Sequence, residues 1–285
     1  MKLALVGNND GPLRILRSLQ KKDLPVCVGL QKAISRDLEN QYLQYINVNN
    51  FYTQFGEDLL FKILEQYQPE IVINCFCNFK FVKLLNIYKV FNVHLSALPR
   101  YRGRHPLHWA LINGEQQIGI TIHEMTFGFD EGPIYWQKKI RGTDNLSVSA
   151  AREELLQLLE DDFQDFMLRY KKGEITPHEN LDEEATLIKR RIPADSELTE
   201  WGNRDLIFRK VWALCSEKNP AFITINNQEI PVKEAEKINF NSNYSEGRIV
   251  DFQDGFVEVS CGGRAGIRLK LLGHIPNFKI DQDYI

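Results

Sequence analysis

The sequence predicts an α/β fold, a Rossmann-like parallel sheet followed by a small β-rich domain. Three observations carry this expectation. In the first half, short apolar runs such as Val26–Leu30 and Ile71–Cys75 alternate with segments of helical periodicity, the pattern of a parallel sheet covered on both faces. A polar stretch over residues 171–201 then interrupts the alternation. Beyond it come several short β-type runs separated by Asn, Gly and Asp.

Residues 3–6 form a strand closed by Gly7, and Asn8-Asn9-Asp10-Gly11-Pro12 makes a turn. Leu13, Leu16 and Leu19 continue as a helix face up to Lys21 and Lys22. The turn lacks the G-x-G-x-x-G spacing that lets backbone approach a pyrophosphate, so it is read as a plain turn. Val26–Leu30 is the second strand. Residues 57–66 form an amphipathic helix with Leu59, Leu60, Ile63 and Leu64 on one side. Ile71–Cys75 is the third strand, apolar except for Asn74. Sheets of this kind bind ligands at the carboxyl ends of their strands, so residues 77–82 are expected to line a crevice, with their Phe side chains equally readable as core.

Residues 106–113 suit a short helix with proline in its first turn. Residues 119–125 and 134–140 read as strands flanking a loop. A long helix over 147–170 buries Leu155, Leu158, Leu159 and Phe163 and leaves Glu153, Glu160, Asp161 and Asp165 solvated without a role. After a helical stretch at 206–214, strands at 221–225, 229–232, 247–250, 256–260 and 267–272 imply a small barrel or sandwich. The expected division is a catalytic domain over 1–185, a linker over 186–202 and a β-rich domain over 203–285.

At 285 residues with 43% hydrophobic and 11% aromatic content, the chain reads as a folded soluble protein. No run approaches the length of a membrane span, and the opening apolar segment is too short for a signal peptide, so no membrane partner and a cytoplasmic location are expected. Cys27, Cys75, Cys77, Cys215 and Cys261 form no CxxC pair, which predicts reduced core thiols and no metal. A net charge of −3 gives no footprint for a polyanion, and Lys189-Arg190-Arg191 is too short a basic run to change that.

Chemistry concentrates in residues 92–132. Asn92 and His94 follow the apolar pair Val90-Phe91, and residues two apart on a strand project from one face. Amine attack on an acyl group needs fixed donors for an oxyanion and an acceptor for the amine proton. Asn92 and His94 suit those tasks, and Asp130 suits that of fixing the imidazole tautomer. Spacing alone favours the plainer reading, a satisfied strand end and an ordinary Asp in a turn. Ser96 lacks the G-x-S-x-G elbow and is expected to make a local hydrogen bond. Arg102 and Arg104 read either as an anion clamp or as solvated surface.

The longer pattern runs N-x-H-x-S-x-L-P-x-x-R-G-x-x-P from Asn92, then Thr121-Ile122-His123, then G-x-D-x-G around Asp130. It resembles the folate-dependent formyltransferases, which include methionyl-tRNA formyltransferase and the N-formyltransferases of nucleotide-linked amino sugars. The likeness continues through Ala185-Thr186, Arg190-Arg191-Ile192-Pro193-Ala194-Asp195, Trp201 and Asn219-Pro220-Ala221-Phe222, where that family has its linker and the start of an OB-like C-terminal barrel.

The resemblance implies that Asn92, His94 and Asp130 are catalytic and act on N10-formyltetrahydrofolate. It places the pterin against Lys80, Phe81 and Val82, with Arg104, Thr126, Phe127, Gly128 and Phe129 closing over it, and Tyr101, Arg102 and His105 toward the acceptor. It also implies a homodimer. A basic insertion for gripping tRNA is not evident over residues 31–50, where Asp37 and Glu39 offset Lys32 and Arg36. The expected acceptor is therefore a nucleotide-linked amino sugar, dTDP-linked by preference, rather than nucleic acid. The alternatives are methionyl-tRNA formylation and a non-catalytic folate- or sugar-nucleotide-binding protein.

Overall fold

The computed structural model describes residues 2–19, 26–77, 81–273 and 285. Lys21, Lys22 and Lys80, named above, lie outside the described residues, as do residues 78 and 79 of the expected crevice segment. The chain divides into two compact units, one comprising Met1–Gly103, Gly119–Ile140 and Glu153–Ile188, the other Arg104–Ile118, Arg141–Arg152 and Lys189–Ile285.

The first unit is built on β1 (Leu3–Gly7), α1 (Gly11–Ser18), β2 (Val26–Leu30), α2 (Arg36–Leu43), β3 (Phe51–Thr53), α3 (Glu57–Tyr67), β4 (Ile71–Cys75), β5 (Lys89–His94) and β6 (Arg102–Gly103). After α4 (Pro106–Asn113) come β7 (Gln117–Glu124), β8 (Ile134–Arg141), α5 (Val148–Lys171) and β9 (Leu187–Ile188). The sheet order is β3-β2-β1-β4-β5-β7-β8. β1, β2 and β4 are buried at every position, as strands covered on both faces must be. Pairing is parallel from β3 through to β5, and β7 then adds antiparallel to β5.

Two features go beyond the sequence expectation. Ser35 Oγ accepts from Leu38 N at 3.3 Å and starts α2, which the polar composition of that segment concealed. α2 buries Tyr42, whose hydroxyl donates to the Asn9 carbonyl at 2.7 Å and so fixes the turn after β1. In α5, Glu153 and Glu160 are not the roleless solvated charges the sequence predicts: Arg14 of α1 donates to both, at 2.6 and 3.2 Å. Leu156 is fully buried in the apolar stripe and Leu158 is only half-buried.

The second unit holds α4, α6 (Arg204–Leu214), β10 (Phe222–Ile225), β11 (Gln228–Tyr244), β12 (Ile249–Gln253), β13 (Phe256–Ser260) and β14 (Gly263–Leu271). Its five strands form an antiparallel half-barrel in the order β10-β11-β14-β13-β12. β11 is far longer than the short strand expected at 229–232. Its polar second half stays extended because β14 supplies its ladder partners, through two register shifts. Arg209 of α6 donates to the Ile112 carbonyl of α4 at 3.0 Å. The five cysteines are free, with Cys27, Cys75 and Cys261 buried. No described helix is long and apolar enough to cross a membrane.

Candidate active site

The site is built at the carboxyl end of β5. Parallel register places Asn92 beside Asn74 of β4, and antiparallel register places it beside His123 of β7. Asn92, His94 and His123 are all buried. Asp130 comes from the β7–β8 loop, where it adopts a left-handed conformation at φ 53°.

Its carboxylate is the centre of the cluster. Oδ1 accepts from Asn92 Nδ2 at 3.2 Å and lies 3.4 Å from His123 Nε2. Oδ2 accepts from the Gly103 backbone N–H at 2.9 Å and lies 3.6 Å from His94 Nδ1. Burial opposes ionisation, but His94, His123 and the Gly103 N–H outweigh it and hold Asp130 well below the usual carboxylate range.

The tautomers follow from the acceptors. His94 Nε2 lies 2.9 Å from the Tyr101 carbonyl, which can only accept, so Nε2 carries a proton. Burial, joined by His123 and opposed by Asp130, pushes the His94 pKa below its ordinary value. At neutral pH this leaves a neutral imidazole whose Nδ1 lone pair faces an ionised carboxylate. His123 Nδ1 donates in the same way to the Glu124 carbonyl at 3.0 Å, and its Nε2 lies 3.1 Å from Asn92 Nδ2.

The loop around Asp130 is held by a segment remote in sequence. Asn180 Nδ2 donates to the carbonyls of Asp130 and Gly132, at 2.7 and 3.0 Å. Arg102 in turn donates to the Asn180 carbonyl at 2.8 Å, to Asn180 Oδ1 at 3.0 Å and to Asp182 Oδ1 at 2.7 Å. Tyr101 N–H donates to Thr186 Oγ1 at 2.8 Å, setting the carbonyl that receives His94.

Residues 5–160 match the family described as Formyl transferase. The chain belongs to the formyl transferase family. It is similar to methionyl-tRNA formyltransferase of Clostridium beijerinckii, 28% identical over 209 residues, spanning 72% of this chain and 66% of that relative, just under two thirds of its length. Among solved structures it resembles the N-formyltransferase from Helicobacter canadensis in complex with folinic acid and dTDP-3-aminofucose, with a TM-score of 0.73 and 19% identity over 95% of this chain and 100% of that one. It also resembles HypX from Aquifex aeolicus in complex with tetrahydrofolic acid, with a TM-score of 0.67 and 18% identity, covering 94% of this chain but 43% of HypX.

The other residues singled out in this member of the family fall in several places. Phe81, expected against a ligand, is fully buried among Ala4, Val6, Leu60 and Leu64, because packing of α3 on the sheet needs its ring there. Val82, Thr126, Phe127 and Phe129 are exposed. Tyr101 is buried and faces the cluster through its carbonyl rather than its ring. Arg102 is neither a clamp nor solvated surface: it is buried, with its guanidinium directed at Asn180 and Asp182. Ser96 Oγ makes the local bond expected of it, to the Arg100 carbonyl at 2.8 Å. Arg104 and His105 belong to the second unit, where His105 Nδ1 accepts from Arg191 N–H at 3.1 Å. Sequence reasoning gave no role to His123 or Asn180. His123 stood in the motif, but only the β5–β7 register shows that it adjoins Asn92, and nothing local marks Asn180.

Proposed function

We propose that the protein moves a formyl group from N10-formyltetrahydrofolate to the amino group of a nucleoside-diphosphate-linked amino deoxysugar, dTDP-linked by preference. The observation that carries the reading is the meeting of Asn92, His94 and Asp130 at the sheet's carboxyl edge, where the buried Asn92 donates to Asp130 and Nδ1 of the buried His94 lies 3.6 Å from it. When bound, the folate supplies an activated one-carbon acyl group. The exposed rings of Phe127 and Phe129, on the loop leading to Asp130, offer the apolar surface a pterin needs, with Val82 as a further contact.

The acceptor amine attacks the formyl carbon, the new C–N bond forms, and the bond to the folate nitrogen breaks. Asn92 keeps one N–H on Asp130, and the other, which meets His123 Nε2 at 3.1 Å, is handed over to the charge developing on the formyl oxygen. His94 takes the amine proton at Nδ1, the ring nitrogen its Tyr101 bond leaves basic. The imidazolium then sits beside Oδ2 of Asp130, which stabilises it until the proton passes to the departing folate nitrogen.

Charge supports the choice of acceptor. A net charge of −3, and the offset of Lys32 and Arg36 by Asp37 and Glu39, suit a diphosphate better than a tRNA stem. The competing reading is methionyl-tRNA, favoured by the curated relative at 28% identity. The test is incubation with N10-formyltetrahydrofolate and, separately, dTDP-, UDP- and GDP-linked amino sugars and methionyl-tRNA, following release of tetrahydrofolate. Release with a sugar nucleotide is expected. Release with methionyl-tRNA alone would overturn the acceptor, and release with none would favour a binding protein without turnover.

A further inference from the structure

We infer that Asn74 is a positioning residue that decides which end of the Asn92 amide faces the reacting group. The inference rests on the formyl-transfer reading above, since it concerns the donor assigned there to the formyl oxygen.

The hydrogen bonds around Asn74 have one possible direction. The Cys77 backbone N–H donates to Asn74 Oδ1 at 3.1 Å. A backbone N–H cannot accept, so the atom it meets must be the amide oxygen. Asn74 Nδ2 is thereby turned across the β4–β5 register, where it donates to Asn92 Oδ1 at 2.8 Å. With its oxygen taken, Asn92 presents Nδ2 to Asp130 and His123, at 3.2 and 3.1 Å. The polarity at the site is thus set on the β4 side by a peptide N–H, and on the loop side by Asp130, which when ionised can only accept.

Burial makes the arrangement consequential. Asn74 is 4% exposed and Asn92 8%, so water cannot readily replace either partner. The rest of β4 is Ile71, Val72, Ile73 and Cys75, and an apolar residue at position 74 would suit the sheet. It would leave Asn92 Oδ1 without its donor, so that only Asp130 would oppose a turn of the carbonyl toward the developing negative charge.

Two substitutions separate loss of the donor from reversal of the polarity. Asn74→Ala removes the donor. Asn74→Asp keeps the shape and still accepts from Cys77, but when ionised it can only accept from Asn92 and so turns that amide over. Expected kcat falls about 10-fold for Asn74→Ala and about 10² to 10³-fold for Asn74→Asp, the latter the range for losing one oxyanion donor. KM for donor and acceptor should stay within about twofold, because ground-state binding is not what the amide controls. In an Asn92→Ala background, Asn74→Ala should change kcat by less than about twofold, since its effect passes through Asn92. An equal loss in both backgrounds would overturn the inference, as would normal kcat in Asn74→Asp.

A non-kinetic readout keeps the two readings distinguishable. Nuclear Overhauser contacts between the Asn92 side-chain amide protons and the His123 ring are expected in the wild type and should vanish in Asn74→Asp. Their persistence would sink the positioning role, whereas absence of formyl transfer by the wild type sinks the functional reading instead.

Discussion

His94 Nδ1 lies 3.6 Å from Asp130 Oδ2 while the opposite ring nitrogen donates to the Tyr101 carbonyl at 2.9 Å. The basic lone pair is therefore on the Asp130 side, and the ring is anchored at its other edge by backbone. His94→Asn removes the proton acceptor and should lower turnover by about 10² to 10⁴-fold. Steady-state kinetics check this, and near-normal kcat would take His94 out of the mechanism.

The pH dependence has a worked sign. Burial lowers the His94 pKa, so the active neutral form should persist to below the ordinary imidazole value of about 6.5, and kcat/KM should fall only under that point. Asp130 raises the His94 pKa. Asp130→Asn should therefore shift the acid limb to still lower pH while depressing the plateau. A limb moving upward in that variant would contradict the assignment.

Stability should share this acid sensitivity. His94 and Asp130 both have folded-state pKa values below their ordinary ones, so the unfolded chain binds more protons. The His94 contribution is complete above about pH 6.5 and is lost as pH falls toward its folded pKa, and that of Asp130 follows below about pH 4. Urea unfolding at pH 8 and pH 5 should show a larger loss in the wild type than in His94→Asn.

Asn180 Nδ2 holds the loop by the main-chain carbonyls of Asp130 and Gly132. Asn180→Ala leaves both acceptors short of a donor and should cost about 1 to 3 kcal/mol of stability. Faster amide hydrogen exchange across residues 130–132, with kcat lowered more than KM is raised, would mark the loop as the affected part. Unchanged exchange would argue that the loop is held by other contacts.

Gly103 has φ +114°, and a Cβ there would meet the Ile188 carbonyl oxygen at 2.7 Å. Its N–H is also a ligand of Asp130. Gly103→Ala should displace β6 from β9 and weaken that bond, lowering both the melting temperature and kcat, with strain of about 1 to 3 kcal/mol. A variant as stable and active as the wild type would show that the β6–β9 pair can yield.

Much of this was legible locally. The buried runs of β1, β2 and β4 announced a sheet covered on both faces, and period two alone put Asn92 and His94 on one side of β5. Other features were hidden because their causes are long-range. The second half of β11 reads as a polar loop until β14 is beside it, and the Phe81 ring had no visible destination until α3 closed over the sheet.

The sequence by itself determined the strand–helix alternation, the shared face of Asn92 and His94, and, through the extended motif, the family. Only the tertiary structure decided that His123 and Asn74 flank Asn92, that Asn180 and Arg102 hold the Asp130 loop, and that His94 is basic at Nδ1. The reason is physical. Side-chain direction along a strand follows from local backbone geometry, whereas strand register and loop return are fixed by hydrogen bonds between residues far apart in the chain, which no local pattern encodes.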